Sequence, residues 1–449
     1  MPRQLFGTDG IRGVAGDYPL DPPTVHAVGS ALGEWCRAHA ACGASPQVLV
    51  GIDTRESGPW IAGQIAGGLD RSGVRVRFAG VITTPGVAYL TKEDDFIAGV
   101  MISASHNPYQ DNGIKVFGHN GYKLPDAEEE RLEESILRLG ASGTPPRPLP
   151  LHEEPVLAER YLTHLERAVP GSLAGRKVVV DCGNGAASTL GPAVLRRLGA
   201  EVVAIGCSPD GRNINLNCGA LHVAGLQKKV VERGADAGFA FDGDADRCIA
   251  VSATGRIVDG DAMILLVARY LRSLGRLPGD TVVTTVMSNF GFQKALEADG
   301  IRLVRAAVGD KYVLEDMLRL GAAVGGEQSG HVIFLDKATT GDGLLTALRV
   351  LEVVQATGRN LDQLTEGLES YPQKLVNVRV KERKPLDELA GVRRAITEVE
   401  QALGPDGRVL VRFSGTEPLA RVMVEGPSIE SVNAYAQRIA EAIHFELGG

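Results

Sequence analysis

Strand-like and helix-like segments alternate along most of this 449-residue chain, and this order constrains its fold more than any other feature. Apolar runs such as VLVGID (48–53), VRVRFAG (74–80) and FIAGVMIS (96–103) are separated by helical stretches, of which the clearest covers 59–70. Strands that alternate with helices along a chain pack as sheets covered by helices. The order therefore predicts an α/β protein.

The chain is too long for one hydrophobic core, because domains average roughly 150 residues. We expect three similar α/β domains with mixed, largely parallel sheets, and a smaller α+β C-terminal domain, around a central cleft. A Pro-rich linker, ASGTPPRPLPLHEEP (141–155), separates the first two domains. The predicted domain bounds are 1–150, 151–252, 253–368 and 369–449.

Composition excludes several classes of protein. The formal net charge of −8 argues against a nucleic-acid partner. The N-terminus does not resemble a signal peptide, and no apolar run approaches the roughly 20 residues that span a bilayer. Six cysteines without a C-x-x-C pair are poor material for a disulfide framework or a zinc site. We therefore expect a soluble, cytoplasmic protein with reduced cysteines and no membrane partner.

Three predicted strands end in unusually polar loops, SASHNP (103–108), DGDADR (242–247) and GEQSGH (326–331). Ligands of parallel sheets bind at the carboxyl ends of the strands, so loops at equivalent ends of three similar domains can converge on one cleft. A serine beside Asn and Pro is by default an ordinary turn former. The coincidence of three such loops makes Ser105 a candidate nucleophile.

The second loop places Asp242, Asp244 and Asp246 at alternate positions directly after an apolar strand. An isolated D-x-D is usually a solvated acidic turn, but three carboxylates on one tight loop suit Mg²⁺ or a similar hard cation. Arg247 adds a guanidinium group, which binds anionic ligands such as phosphate. The loop therefore indicates a metal site directed at phosphoryl groups.

A second phosphate-directed loop is RFSGTEPLAR, at 412–421. It offers two hydroxyls, a glycine that allows close backbone approach and two flanking guanidinium groups, from Ser414, Thr416, Gly415, Arg412 and Arg421. An ordinary hairpin turn with exposed arginines would have the same composition. Two phosphate-directed sites, of which only one suits a metal, indicate a reaction that involves both ends of a substrate.

Six motifs occur in the order, and near the spacing, of the α-D-phosphohexomutase superfamily, which the whole chain resembles. They are FGTDGIRG (6–13), SASHNP, NGIKVF (112–117), DGDADR, GEQSGH and RFSGTEP (412–418). The opening motif and Gln328 resemble the glucosamine branch more than the glucose or mannose branches. Ala245 stands where related metal loops commonly have Gly.

The resemblance implies that Ser105, carried as phosphoserine, donates its phosphoryl group to a hexosamine phosphate. A bisphosphorylated sugar forms, turns over in the cleft and returns its other phosphate to Ser105. The expected reaction interconverts glucosamine 6-phosphate and glucosamine 1-phosphate, and feeds UDP-N-acetylglucosamine and cell-wall precursor synthesis. One Mg²⁺ per chain would be held by Ser105, Asp242, Asp244 and Asp246.

The resemblance also implies roles for the remaining motif residues. The candidate catalytic groups beside Ser105 are Lys115, Arg12, His106, His331 and Arg247, and the sequence leaves open which is the general acid or base. Glu327 and Ser329 would bind the sugar hydroxyls, with Gly326 and Gly330 leaving room for the ring. The loop with Arg412, Ser414, Gly415, Thr416 and Arg421 would bind the phosphate that is not reacting.

Other functions fit parts of the same pattern. A phosphoglucomutase or phosphomannomutase of the same superfamily would carry most of these motifs. A phosphatase could use Asp242 as its nucleophile, with Ser105 as a bystander, and a sugar-phosphate sensor would bind without turnover. The sequence also leaves the oligomeric state open, with a homodimer as the assembly considered.

Overall fold

The computed structural model describes residues 4–7, 9–41, 45–141, 143, 145–169, 171–414 and 418–448. The chain divides into two compact units, one formed by Met1–Val286 with Val304–Glu366 and the other by Met287–Leu303 with Gly367–Gly449. Sheets covered by helices recur three times before a smaller antiparallel sheet, which confirms the predicted α/β class. The four predicted domain bounds stay predictions.

The first sheet contains the strand that leads to Ser105. Its strands and helices are β1 (Phe6–Gly7), β2 (Gly10–Val14), α1 (Pro22–His39), β3 (Gln47–Ile52), α2 (Gly58–Arg71), β4 (Arg75–Val81), α3 (Thr84–Glu93), β5 (Ala98–Ile102), β6 (Asp111–Gly118) and α4 (Asp126–Ala141). The strand order is β1-β2-β6-β5-β3-β4, with β3 parallel to β4 and β5, and β6 antiparallel to β5. Every residue of β5 is buried, as expected for a strand covered on both faces.

The second sheet leads to the acidic loop. Its elements are α5 (Pro155–Ala168), β7 (Lys177–Asp181), α6 (Ala187–Arg197), β8 (Glu201–Ile205), α7 (Ala224–Arg233), β9 (Ala237–Phe241), β10 (Cys248–Ser252) and β11 (Ile257–Val258). The strand order is β11-β10-β9-β7-β8, with β7 parallel to β8 and β9. The acidic loop is the turn that joins β9 to its antiparallel neighbour β10.

The third sheet leads to the glycine-rich loop. The elements in this part of the chain are α8 (Gly260–Ser273), β12 (Thr281–Thr285), α9 (Phe290–Ala298), β13 (Arg302–Ala306), α10 (Asp310–Leu320), β14 (Val324–Gly326), β15 (Val332–Phe334), α11 (Gly343–Thr357) and α12 (Leu361–Leu364). The strand order is β13-β12-β14-β15, and β12 is parallel to β14. The loop follows β14 and turns the chain back into antiparallel β15.

The second unit is built on a three-stranded antiparallel sheet. It contains β16 (Gln373–Arg379), α13 (Ala390–Leu403), β17 (Arg408–Phe413), β18 (Leu419–Glu425) and α14 (Ile429–Leu447), with the strand order β16-β18-β17. The segment Met287–Leu303, which includes α9, belongs to the same unit. It is attached because the Asn289 amide donates to the Tyr371 carbonyl at 3.0 Å and Arg408 donates to the Ser288 carbonyl at 2.7 Å.

Two further expectations, on membrane-spanning segments and on the state of the cysteines, concern the chain as a whole. None of the helices in the described ranges is both long enough and apolar enough to cross a lipid bilayer. The cysteines that the structure describes are free thiols, namely Cys36, Cys182, Cys207, Cys218 and Cys248. Cys42 lies outside the described residues.

Candidate active site

Ser105 lies just beyond the carboxyl end of β5 and contacts the acidic loop. Its hydroxyl donates to Asp242 Oδ2 at 2.5 Å, and its Oγ lies 3.3 Å from His106 Nδ1. The residue is only 2% exposed and has a φ of 52°, a left-handed conformation that is unusual outside glycine. Backbone strain of this kind persists only where the surroundings enforce it.

Arg55 enforces the conformation of the serine loop. Its buried guanidinium group donates to the backbone carbonyls of Pro108, Ser105 and Asn107 at 2.5, 2.9 and 2.9 Å. Its Nε donates to Asp53 Oδ2 at 2.9 Å, in an ion pair whose two side chains are fully buried. One arginine therefore satisfies three carbonyls of the turn that carries Ser105.

Two further side chains complete the support of this loop. Ser103 donates its hydroxyl proton to Asp53 Oδ2 at 2.6 Å and accepts the Ser105 N–H at 2.9 Å. From the second sheet's domain, the Asn215 amide donates to the Ser105 carbonyl at 2.9 Å. Ser103, two residues before Ser105 in the same loop, is therefore a positioning residue.

We expect Arg55→Met to destabilise the fold by about 3–5 kcal/mol, because it leaves the buried Asp53 carboxylate without its counter-ion. Compared with Arg55→Met, Arg55→Lys should have a higher free energy of unfolding, because it keeps a positive charge beside Asp53. Its turnover number should stay low, because an ammonium group cannot donate to three carbonyls in the fixed plane of a guanidinium group. Urea unfolding and steady-state kinetics measure both effects. Arg212→Lys, in an exposed pair with Glu56, is the control and should change neither. Wild-type turnover in Arg55→Lys would contradict the positioning role.

The acidic loop forms a compact group of buried oxygen donors. Asp242, Asp244 and Asp246 each offer one carboxylate oxygen, and these oxygens lie within 4.8 Å of one another. Burial raises the pKa of Asp242 well above its ordinary value, and repulsion from Asp246 and Asp244 adds to the effect. Asp244 Oδ1 and Asp246 Oδ1 are buried without a hydrogen-bond partner. Orphaned hard oxygens around one point are the donor set that a divalent cation satisfies, so the residues fit a metal.

The backbone of this loop explains a detail of its sequence. Ala245 has a φ of 55°, in the left-handed region where glycine is at ease. Thr84 braces the neighbouring residue, because its N–H donates to the Asp244 carbonyl at 3.0 Å and its hydroxyl donates to Asp244 Oδ2 at 2.5 Å. The preference for Gly in related loops therefore has a conformational reason.

Lys115 is the counter-ion of the carboxylates. Its ammonium group is 1% exposed and lies 2.9 Å from Asp244, 3.2 Å from Asp9 and 3.8 Å from Asp246. Burial alone would lower the pKa of Lys115, but the three carboxylates outweigh it and raise the pKa above its ordinary value. The side chain is therefore held as a cation beside Ser105's loop. Arg12 forms an ion pair with the same Asp9.

Two other cationic candidates are also placed here. The Arg247 backbone N–H donates to Asp242 Oδ1 at 3.1 Å, and the guanidinium Nε lies 4.0 Å from Asp246 Oδ1. Burial lowers the pKa of His106, and the positive charges of Arg247 and Arg12 lower it further. Two guanidinium groups thus act on the His106 ring, in an environment suited to an anionic ligand.

The glycine-rich loop brings His331 to the acidic loop. His331 Nδ1 lies 3.7 Å from Asp246 Oδ2, and its Nε2 accepts the Gly341 N–H at 3.1 Å. Glu327 is half-buried and Ser329 is exposed, with the Ser329 hydroxyl 3.5 Å from the Glu327 carboxylate. The loops after β5, β9 and β14 thus meet in the first unit.

Gly326, Gly330 and Gln328 have structural roles that the sequence did not indicate. A Cβ at Gly326 would lie 2.2 Å from the His331 carbonyl oxygen, and one at Gly330 would lie 2.0 Å from the Cys248 carbonyl oxygen. The two glycines therefore allow backbone segments to approach closely, and their role in leaving room for the sugar ring stays a prediction. The Gln328 amide donates to Asp259, the N-cap of α8, at 3.1 Å.

The arginine-flanked loop lies in the second unit. Arg412 in β17 and Arg421 in β18 are directly opposite partners across the antiparallel pair. Burial lowers the pKa of Arg412, and the charge of Arg421 lowers it further. Like charges opposite each other destabilise a sheet, and an anion between them would relieve the repulsion. Ser414 is buried, while Gly415 and Thr416 lie outside the described residues.

Four models of one family match successive parts of the chain. They are described as phosphoglucomutase/phosphomannomutase, alpha/beta/alpha domains I, II and III and C-terminal domain, and they match residues 3–141, 159–255, 259–371 and 375–442.

Curated relatives match over the full length. The chain is 59% identical to the phosphoglucosamine mutase of Solibacter usitatus, with all of both chains covered. It is 51% identical to that of Koribacter versatilis, over 99% of this chain and 98% of the relative. It is 47% identical to that of Shouchella clausii, over 99% of each.

Solved structures share the fold. A phosphoglucomutase/phosphomannomutase family protein from Burkholderia thailandensis matches with a TM-score of 0.80 and 25% identity, over 98% of this chain and 97% of that one. The N-acetylphosphoglucosamine mutase of Aspergillus fumigatus, solved with GlcNAc-6P and magnesium, matches with a TM-score of 0.64 and 19% identity, over 98% and 96%.

Proposed function

The chain belongs to the phosphoglucomutase/phosphomannomutase family, and from that premise we propose that it interconverts glucosamine 6-phosphate and glucosamine 1-phosphate. Full-length relatives named phosphoglucosamine mutase support the choice of sugar. The observation that carries the chemistry is the Ser105 hydroxyl, hydrogen-bonded to a loop of three buried carboxylates. The product would feed UDP-N-acetylglucosamine and cell-wall precursor synthesis.

Ser105 is the phosphoryl carrier in this proposal. As phosphoserine it transfers its phosphoryl group to the free hydroxyl of the hexosamine phosphate, so the serine O–P bond breaks and a sugar O–P bond forms. The resulting bisphosphate reorients, and its other phosphoryl group returns to Ser105. The enzyme ends phosphorylated as it began, and the sugar leaves with its phosphate moved.

The acidic loop is proposed to bind one Mg²⁺ through Asp242, Asp244, Asp246 and the phosphate of Ser105. The cation, when bound, neutralises charge that develops on the phosphoryl oxygens, where most catalysis of phosphoryl transfer arises. The two orphaned carboxylate oxygens support this assignment. Lys115 adds a positive charge 2.9 Å from Asp244 Oδ2.

The remaining groups bind the substrate and move its proton. We assign Glu327 and Ser329 to the sugar hydroxyls and Arg247 to the phosphoryl oxygens. The hydroxyl proton is exchanged with one of four candidate groups, Lys115, His106, Arg12 and His331. The contacts of His106 with Ser105, of Lys115 with Asp244 and of His331 with Asp246 support three of these candidates.

The contacts of Asp242 argue against a phosphatase with an aspartate nucleophile. Its Oδ2 accepts the Ser105 hydroxyl and its Oδ1 accepts the Arg247 backbone N–H. Both oxygens of Asp242 thus accept hydrogen bonds, one of them from the Ser105 hydroxyl itself.

The test locates the covalent phosphate and measures the reaction. Protein purified from its host is digested and the phosphorylated residue is identified by mass spectrometry, while isomerisation of hexosamine phosphates is assayed in parallel. Phosphate on Ser105 together with isomerase activity is the expected result. An acyl phosphate on Asp242, cleaved by hydroxylamine, would contradict it in favour of a phosphatase. Binding without turnover would do so in favour of a sensor.

Arg421→Ala tests whether one loop binds the distal phosphate in both orientations of the sugar. We expect KM to rise for both monophosphates, because losing a charged hydrogen bond costs about 1.5–3 kcal/mol, or roughly ten- to a hundredfold in affinity. Free hexosamine bisphosphate should also appear in the medium during turnover. The control is Arg394→Ala, an exposed arginine on α13 of the same unit, which should leave both KM values unchanged. A rise in KM for only one monophosphate would show that the two ends are held at separate sites.

A further inference from the structure

Three cysteines lie around Asn184 at the carboxyl ends of β7 and β8. Cys182 directly follows β7, and Cys207 is two residues beyond β8, its parallel neighbour. The Cys182 N–H and the Cys207 thiol both donate to the carbonyl oxygen of Ile205, at 3.1 and 3.2 Å. Cys218 Sγ lies 3.6 Å from the Asn184 amide nitrogen. The backbone of Cys182 and the thiol of Cys207 thus meet at one carbonyl oxygen.

The two thiols of this pair differ in environment. Cys182 is fully buried, and its hydrogen bond to Cys207, together with burial, raises its pKa well above the ordinary value. Cys207 is partly exposed, and the hydrogen bond from Cys182 lowers its pKa against the effect of burial. Oxidants react with thiolates that they can reach. Cys207 is therefore the reactive thiol, and Cys182 is placed to resolve its oxidised form.

The thiol pair is linked by hydrogen bonds to Asn215, the residue of this domain that supports Ser105. The Gly206 carbonyl accepts the Asn184 N–H at 2.6 Å, and the Gly183 carbonyl accepts the Asn215 N–H at 2.8 Å. The Asn215 side chain then donates to the Ser105 carbonyl at 2.9 Å. These hydrogen bonds connect the segment that carries Cys182 and Cys207 to the backbone of the serine loop.

We propose that Cys207 and Cys182 form an oxidation site for hydrogen peroxide and small hydroperoxides, at which disulfide formation lowers turnover. The Cys207 thiolate attacks the peroxide, the O–O bond breaks, and a sulfenic acid and hydroxide are formed. The Cys182 thiol then attacks the Cys207 sulfur, an S–S bond forms, the S–O bond breaks, and the oxygen leaves as water. Overall, two thiols give up two electrons and two protons, and one hydrogen peroxide becomes two waters.

Disulfide formation changes the local geometry. Bonded sulfurs are about 2 Å apart, much closer than hydrogen-bonded thiols, so the turn after β8 must move towards the end of β7. That movement shifts Asn184 and Asn215 relative to Ser105. A misplacement of this size at a catalytic group lowers turnover roughly ten- to a hundredfold. This part of the inference rests on the proposed function, whereas formation of the disulfide does not.

The experiment uses the full-length protein, reduced and then treated with a small molar excess of hydrogen peroxide. Free thiols are alkylated, the protein is digested without reductant, and cross-linked peptides are identified by mass spectrometry. We expect a Cys182–Cys207 cross-link that forms as isomerase activity falls, and the return of activity on addition of dithiothreitol. Because the cross-link is measured directly, its absence is distinguishable from a failure of the proposed function.

Cys207→Ser is the informative variant, because its side chain is partly exposed and the fold should tolerate it. It should form no cross-link at Cys182 and should keep its activity in peroxide. Cys218→Ser, which alters the third thiol beside Asn184, is the matched control and should behave like the wild type. Four outcomes would overturn the proposal: a Cys207–Cys218 cross-link, oxidation without any cross-link, a Cys182–Cys207 disulfide with unchanged turnover, or inactivation of Cys207→Ser at the wild-type rate.

Discussion

Ser105→Ala is expected to lose isomerase activity by a factor on the order of 10⁴ or more, because it removes the atom that carries the phosphoryl group. The fold should persist. Alanine deletes only the hydroxyl, and the loop keeps the backbone hydrogen bonds from Arg55 and Asn215. Coupled assays of glucosamine 1-phosphate formation and intact-mass spectrometry measure the two consequences, loss of turnover and loss of covalent phosphate.

Ser103→Ala is the matched control, since it removes the other hydroxyl of the same loop. That hydroxyl binds Asp53 and the Ser105 N–H, so its loss disturbs the position of Ser105 but leaves the phosphoryl acceptor in place. We expect a smaller fall in turnover and normal phosphate incorporation. Turnover of Ser105→Ala at the wild-type rate, or covalent phosphate retained in that variant, would refute the role of Ser105.

Asp244→Asn is expected to remain folded, to bind Mg²⁺ much more weakly and to lose turnover by a factor on the order of 10³. The amide oxygen can replace Oδ2 as acceptor for Lys115 and Thr84. The NH₂ group then replaces the orphaned Oδ1, so a donor stands where a cation needs an acceptor. Removing one negative charge from three also relieves repulsion, so thermal unfolding without metal should change little.

Calorimetric titration with Mg²⁺ and the dependence of activity on Mg²⁺ measure this effect. Chelation of the wild type with EDTA should abolish turnover, and added Mg²⁺ should restore it. Asp70→Asn, an exposed aspartate near the end of α2, is the matched control and should leave both measurements unchanged. Full activity in EDTA, or wild-type Mg²⁺ affinity in Asp244→Asn, would exclude the acidic loop as the metal site.

Several features of this protein were predictable from short stretches of sequence. The alternation of strands and helices predicted the α/β class, because burial of one face sets the spacing of apolar residues within each segment. The loops with Ser105, Asp242 and Glu327 were found because each follows an apolar strand directly. The carboxyl ends of parallel strands are where ligands of such sheets bind, which made the polar residues there candidates.

Other site residues were missed although a signal was present. Asp53 and Arg55 follow β3, the strand beside β5, so the same rule about strand ends could have found them. Asp9 lies within the opening motif, and its carboxylate lies beside Lys115. These residues are of types common in exposed turns, and nothing within their own segments shows that they are ion-pair partners.

The tertiary structure decided the contacts that join distant segments. Thr84 binds Asp244 and Asn215 binds Ser105 across separations of 160 and 110 residues, and Cys182 meets Cys207 only because β7 and β8 are neighbours. The segment Met287–Leu303 likewise belongs to the second unit through hydrogen bonds to Tyr371 and Arg408. Local pattern specifies which face of a segment is buried, but the partner of a buried polar group depends on how whole sheets and loops pack, which no short stretch encodes.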